Sequence, residues 1–203
     1  MIRSRLTRVQ RIRVAKETMS GKNLLDSVML ADAEKLQDTL HTCDRAAFSR
    51  AAEAISSADH VYIVGMRSSG CLASFLGFYL NLLRENVHVV DTSAGELYDQ
   101  ILHIRRGDVF IGISFPRYSS GIVKPMRYAK DSGATVIGLT DGAGSPFVGI
   151  ADILLFAKSD MMSFVDSLVA PMSLINALIV AVGANNAESV DDMFQQILGY
   201  VPD

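Results

Sequence analysis

Cysteine, proline and charge are all scarce: the 203 residues hold 2 cysteines and 5 prolines, and only 20% of positions are charged. Each scarcity closes a class of function. Cys43 and Cys71 lack the C-x-x-C or Cys/His spacing of a zinc site, so they are expected to be free, buried thiols in a reducing compartment. With 49% hydrophobic residues and 15 glycines, the chain is too apolar for disorder and too poor in Gly and Pro for a fibrous repeat. A formal net charge of −3 excludes a self-contained nucleic-acid-binding domain, which carries a clear basic excess. Any contact with DNA must be local. No apolar run reaches the roughly 20 residues that span a bilayer; the longest, 168–183, is interrupted by Pro171, Ser173 and Asn176 and reads as a core helix. Nor does an apolar segment follow the first charges, as a secretory signal requires, so a soluble, cytoplasmic protein with no membrane partner is expected.

Catalytic signatures are missing as well. There is no G-x-G-x-x-G for a dinucleotide, no G-x-x-x-x-G-K-[ST] for a nucleotide phosphate, no G-x-S-x-G elbow and no H-E-x-x-H. The histidines, His41, His60, His88 and His103, are scattered, and neither a metal nor a cofactor is expected. His60 and His88 fall at strand beginnings, far from where a base would be needed, and read as solvated or edge-of-core residues.

What is present is unevenly distributed. Arg3, Arg5, Arg8, Arg11, Arg13 and Lys16 crowd the beginning of the chain, while Leu6, Val9 and Ile12 recur at every third position. Residues 1–22 therefore read as a basic tail or cationic helix, closed by Gly21, and the remainder is correspondingly acidic. Over 24–40, Leu25, Met29, Ala33, Leu36 and Leu40 share one helical face, opposite Asp26, Asp32, Glu34, Lys35 and Asp38. Ala47, Phe48, Ala51, Ala52 and Ile55 repeat the pattern before Ser56-Ser57-Ala58-Asp59 ends it, so two helices precede the first strand.

Beyond Asp59 the texture changes to short β-branched runs alternating with longer helical patterns. Strands are expected over 60–65, 87–91, 109–114, 135–140 and 152–157, and helices over 69–85, 95–104, 119–131, 164–182 and 191–198. Strands this continuously apolar suit a parallel sheet covered on both faces. The fold expected is α/β: a doubly wound, flavodoxin-like, five-stranded parallel sheet over about 45–185, with an N-terminal helical extension. Such sheets bind ligands beyond the carboxyl ends of their strands, where strand order reverses.

Two of the loops at those ends are rich in hydroxyls. After Gly65 come Met66, Arg67, Ser68 and Ser69; after Ser114 come Phe115, Pro116, Arg117, Tyr118 and Ser119. Each leads into a helix, whose free amides and dipole attract an anion and whose first serines can bond phosphate oxygens. Either loop alone reads equally as an ordinary serine cap, but two at adjoining strand ends form a hydroxyl-lined pocket with Arg67 and Arg117 as fixed cations. Glu96, Asp99 and Asp141 follow other strands and read as capping or solvated carboxylates.

At these loops the sequence resembles the SIS (sugar isomerase) domain family of phosphosugar isomerases and phosphosugar-binding proteins, in particular the sugar-binding half of RpiR-type bacterial transcriptional regulators. The family's first loop, roughly G-x-G-[ST]-S, is matched by Gly65-Met66-Arg67-Ser68-Ser69, with Arg67 at the middle glycine. Its second, roughly S-x-S-G-x-T, is matched by Ser114-Phe115-Pro116-Arg117-Tyr118-Ser119, with Pro116 and Arg117 at the middle Ser and Gly. Phe164-Val165-Asp166-Ser167-Leu168-Val169-Ala170-Pro171 resembles the opening of the regulators' last long helix. The resemblance implies a SIS domain over 23–203. It implies that Ser68, Ser69, Ser114 and Ser119 hold the phosphate of a sugar phosphate; position and charge add Arg67, Arg117 and Tyr118. It also implies a homodimer or higher homo-oligomer that senses its effector and contacts DNA only through a helix-turn-helix domain absent or truncated here, the basic tail being its remnant. The alternative within the family is an aldose–ketose phosphosugar isomerase, whose base follows the second strand; Leu97-Tyr98-Asp99-Gln100 lacks the S-H-G-D-like pattern of such enzymes. The lead helix (Leu25, Met29, Leu36, Leu40) and the apolar last helix hold more hydrophobic surface than one small sheet can cover, which is a second reason to expect self-association.

Overall fold

A computed structural model describes residues 23–92, 97–159 and 165–186. The basic segment 1–22, Glu96 and the terminal helix expected over 191–198 lie outside the described residues. The strands are β1 (Val61–Gly65), β2 (Val87–Val89), β3 (Val109–Ile113), β4 (Thr135–Thr140) and β5 (Ile153–Phe156). They form one sheet in the order β2-β1-β3-β4-β5, every pairing parallel, with Val61 opposite both Val87 and Val109. The helices are α1 (Leu24–Thr42), α2 (Arg45–Ser57), α3 (Ser69–Leu83), α4 (Leu97–Gln100), α5 (Ser120–Asp131) and α6 (Val169–Asn185).

The two-residue period of the strands divides the interior into two cores. Val61, Ile63, Ile111, Ile113, Ile137 and Leu139 face one side, with Ile55 of α2, Leu72 and Leu76 of α3, and Ile175 and Leu178 of α6. Tyr62, Val64, Phe110 and Val136 face the other, with Leu97 of α4 and Ile122 and Met126 of α5. From β1 the chain first moves outward to β2 and then returns past β1 to β3. The carboxyl ends of β1 and β3 therefore lie on either side of the reversal, and the chains leaving them, α3 and α5, diverge to opposite faces. Gly65 at the end of β1 is required by close approach: a Cβ there would lie 2.3 Å from the Ser69 carbonyl oxygen.

Several element expectations need correction. The helix expected over 95–104 is one four-residue turn, α4, continued by turn bonds from the Ile101 amide to the Tyr98 oxygen and from the Ile104 amide to the Ile101 oxygen. The last helix begins at Val169, not at 164. Pro171 decides this, because its ring would collide with the carbonyl four residues back in a helix reaching through Ser167. That carbonyl instead accepts the Ser159 hydroxyl. β2 is shorter than expected and His88 is its middle residue, where its Nε2 meets His60 Nδ1 at 3.1 Å. The two cysteines are free, but only Cys43 is partly buried; Cys71 is exposed on the first turn of α3, with its Sγ 2.8 Å from the Ser68 oxygen.

The lead helix α1 joins the body through polar groups. Lys35 and Thr39 are its buried residues, Thr39 Oγ1 accepts the Lys158 amide at 2.9 Å, and Asp32 accepts the Ser167 hydroxyl at 2.6 Å. Leu25, Met29 and Leu40 of the expected apolar face are exposed, at 65%, 63% and 63%. No helix among the described residues is long and apolar enough to cross a membrane.

Candidate functional site

Both serine loops are tight passages from a strand's last residue into a helix's first turn. In the first, Arg67 sits at φ 57; in the second, Arg117 sits at φ 70. This left-handed conformation is the one the family pattern reserves for glycine, and in both loops an arginine adopts it. Ser68 and Ser119 are the N-caps of α3 and α5, yet neither side chain bonds its own helix. The ordinary-cap reading of these serines is therefore not the one the geometry follows. Ser119 Oγ lies 3.0 Å from the Met66 sulfur, so the loops touch, and Ser114 Oγ accepts the Ser119 amide at 3.4 Å.

The two loops wall one cavity of about 640 Å³. Arg67, Ser68, Ser69, Ser114, Arg117 and Ser119 all line it, so the structure brings together six of the seven residues expected from the sequence. The seventh, Tyr118, does not line it. Its hydroxyl donates to Asp141 Oδ1 at 2.7 Å, and burial together with that bond pushes the phenol far above its ordinary pKa. Tyr118 thereby braces the second loop against the end of β4. Asp141, which also accepts the Thr140 hydroxyl at 3.2 Å, serves this bracing role, and Asp99 is exposed on α4.

Chemically, the cavity offers hydroxyls, two guanidinium groups and the amino ends of two helices, a combination suited to a compact oxyanion such as phosphate. It offers little for proton transfer. Among the described lining residues there is no histidine, and the one carboxylate, Asp166, is bound to Arg117 Nη2 at 2.5 Å. Among the described residues no group of three or more His, Cys, Asp or Glu side chains is placed to hold a metal ion.

Asp166 is the site residue that sequence reasoning missed. It belongs to the segment that leads into α6, along with the lining residues Val165 and Leu168. Its signal was visible as the acid just ahead of the last helix, but no local pattern ties that position to loops about fifty and about a hundred residues upstream. Met66, Phe115 and Pro116, also in the lining, lay inside the two loops and were passed over as spacers.

Residues 54–181 match the family model described as the SIS domain. The sugar isomerase domain of the RpiR transcription factor from Sphaerobacter thermophilus superposes with a TM-score of 0.82 at 31% identity, over 87% of this chain and 98% of that one. The Vibrio vulnificus NanR protein, solved in complex with ManNAc-6P, superposes with a TM-score of 0.75 over 97% of this chain and 77% of that one; at 16% identity the likeness is one of fold. In sequence, an uncharacterized HTH-type transcriptional regulator of Caldanaerobacter subterraneus subsp. tengcongensis is 27% identical over 165 residues, which are 77% of this chain and 57% of that protein. The chain spans about half the length of the curated relatives it matches.

Proposed function

Because the chain belongs to the SIS domain family, we propose that it is the effector-sensing part of an RpiR-type transcriptional regulator, and that it binds a sugar phosphate in the cavity between the two serine loops. One observation carries the reading: Ser68, Ser69 and Arg67 from the end of β1 line the same cavity as Ser114, Ser119 and Arg117 from the end of β3. The phosphate sits between the amino ends of α3 and α5, with hydroxyls and guanidinium groups as charge-assisted donors. The relatives that are transcriptional regulators, and the NanR complex with ManNAc-6P, support a phosphorylated sugar as effector and regulation as output. The isomerase reading is weaker, because moving a proton between neighbouring carbons needs a free base, and among the described lining residues the one carboxylate, Asp166, is ion-paired.

Sensing requires an arrangement that the effector can bias. We assign that arrangement to a homodimer built on α1, whose Leu24, Leu25, Met29, Leu30 and Leu40 are each more than half exposed. An apolar cleft of about 240 Å³ between α1, α2 and α6 continues this surface. On this reading DNA contact is made by the helix-turn-helix part of such regulators and not by the SIS domain.

Calorimetry with a panel of hexose and pentose phosphates tests the pocket. Ser69→Ala and Ser119→Ala each remove a hydroxyl donor to a charged acceptor, worth about 1.5–3 kcal/mol, so affinity is expected to fall about tenfold to a hundredfold. Thermal unfolding of the same variants separates lost contacts from lost folding. If no sugar phosphate binds the parent, or both alanine variants bind as well as the parent, the reading is wrong.

A further inference from the structure

An anion pocket has an evident reason to exclude carboxylates, yet this one has Asp166 in its wall. The side chain is only 8% exposed. Its Oδ2 accepts Arg117 Nη2, while its Oδ1 is shielded from water and has no hydrogen-bond partner among the described residues. A buried carboxylate oxygen without a donor is costly, and a structure keeps one where something else supplies the donor. The segment 165–168 reaches the cavity from α6, from neither serine loop. It therefore addresses a part of the ligand other than the phosphate held between the loops.

Charge points the same way. Among the described residues the cavity wall carries two guanidinium groups and one carboxylate, an excess of one positive charge. A phosphate monoester brings about −1.5 to −2 at pH 7. A singly phosphorylated ligand thus brings the site close to neutrality, whereas a second anionic group would add repulsion beside a carboxylate that water does not screen. Hydroxyl and ammonium groups have the opposite character, since each can donate to the Asp166 carboxylate.

Resting on the phosphate reading, we infer that Asp166 is the residue that selects the sugar: it accepts a hydrogen bond from a hydroxyl or ammonium group of the ligand, and it turns away phosphorylated sugars with a second anionic group, such as sugar-acid phosphates and bisphosphates. Arg117 needs only Nη2 for Asp166 and keeps its other N–H groups for the phosphate. The pair thus joins the two ends of the ligand site.

The experiment compares, by calorimetry on the parent protein and on Asp166→Asn, a panel of aldose phosphates, their 2-amino-2-deoxy counterparts and their aldonate (sugar-acid) counterparts, with inorganic phosphate alongside. In the parent, each aldonate phosphate is expected to bind about tenfold or more weakly than its aldose phosphate, as like-charge juxtaposition requires. Asp166→Asn keeps the shape and loses the charge, so it should close most of that gap and weaken the amino sugars most. Were Asp166 only to orient Arg117, the variant would weaken every ligand, inorganic phosphate included, by the same factor; that result overturns the inference. So does a parent that binds aldonate and aldose phosphates equally, an outcome that needs no variant to fold. A parent that binds neither inorganic phosphate nor any sugar phosphate removes the phosphate reading itself, and this inference with it.

Discussion

An L side chain at φ 57 or 70 brings its Cβ against the neighbouring carbonyl, and each loop of the site contains such a residue, Arg67 in one and Arg117 in the other. Left-handed backbone outside glycine costs on the order of 1–3 kcal/mol. Two guanidinium groups at the mouth of an anion site are a physical return for that cost. The comparison that isolates it is Arg→Gly against Arg→Ala at the same position, since both delete the charge and only glycine relieves the backbone. In ordinary helix or strand positions glycine is the less stable of the two by about 0.5–1 kcal/mol. At positions 67 and 117 the order is expected to reverse, the glycine variant being more stable by about 1 kcal/mol or more in chemical denaturation. Both variants should bind sugar phosphate more weakly than the parent. Alanine variants as stable as the glycine ones would remove the strain argument. A left-handed position is legible in a sequence only when glycine marks it; here arginine conceals it, and the positions were recognisable only by aligning the loops with the family pattern. Asp166 was hidden for a different reason, since its partner Arg117 is brought to it by the packing of α6.

Among the strands, β2 is the shortest. It spans Val87–Val89 at the open edge of the sheet, and on its outward side His88 stacks against Tyr62, with ring centroids 4.9 Å apart, and meets His60. Burial first, and then the proximity of His60, hold the His88 imidazole below its ordinary pKa of 6.5, against a smaller opposing pull from Asp108. The sign follows directly. Below pH 6.5 the unfolded chain takes up a proton at His88 that the folded chain still refuses, so stability falls as pH drops through that window and levels off once folded His88 also titrates. Thermal unfolding of the parent should therefore begin at lower temperature at about pH 5.5 than at about pH 7.5, with a smaller difference in His88→Gln. Equal pH dependence in the two proteins would place the effect elsewhere. The strands themselves were legible because runs such as Val61–Gly65 and Val109–Ile113 are apolar on both faces. The start of α6 was not, because periodicity continues upstream of Val169, whereas the Ser167 carbonyl, which a longer helix would turn toward Pro171, accepts the Ser159 hydroxyl instead. The face of α1 that meets the body was misleading in the same way. An amphipathic pattern shows which side is apolar, whereas the fold bonds α1 to the body by Asp32 and Thr39 and leaves Leu25, Met29 and Leu40 outward.

At the scale of the whole molecule, that outward side calls for a cover, since Leu25, Met29 and Leu40 share one helical face and are exposed at 65%, 63% and 63%. Sedimentation at micromolar concentration is expected to show a species about twice the 22.0 kDa chain mass or larger. A species of single-chain mass throughout would rule out the homodimer. Leu25→Glu combined with Met29→Glu should shift the population toward monomer without loss of the fold, because neither side chain is buried within the chain. The parallel sheet also has a consequence for what the effector does once bound. The helices that begin at the two serine loops cover opposite faces, α3 over one core and α5 over the other. On the proposed reading, a small anion gripped by both amino ends is a rivet driven through the middle of the domain, fastening layers already in touch where Ser119 meets Met66. Breathing motions that lift either helix must first release it. If the proposed pocket holds its sugar phosphate, occupancy of one cavity is reported on both surfaces of the domain at once, including surfaces that never touch the ligand.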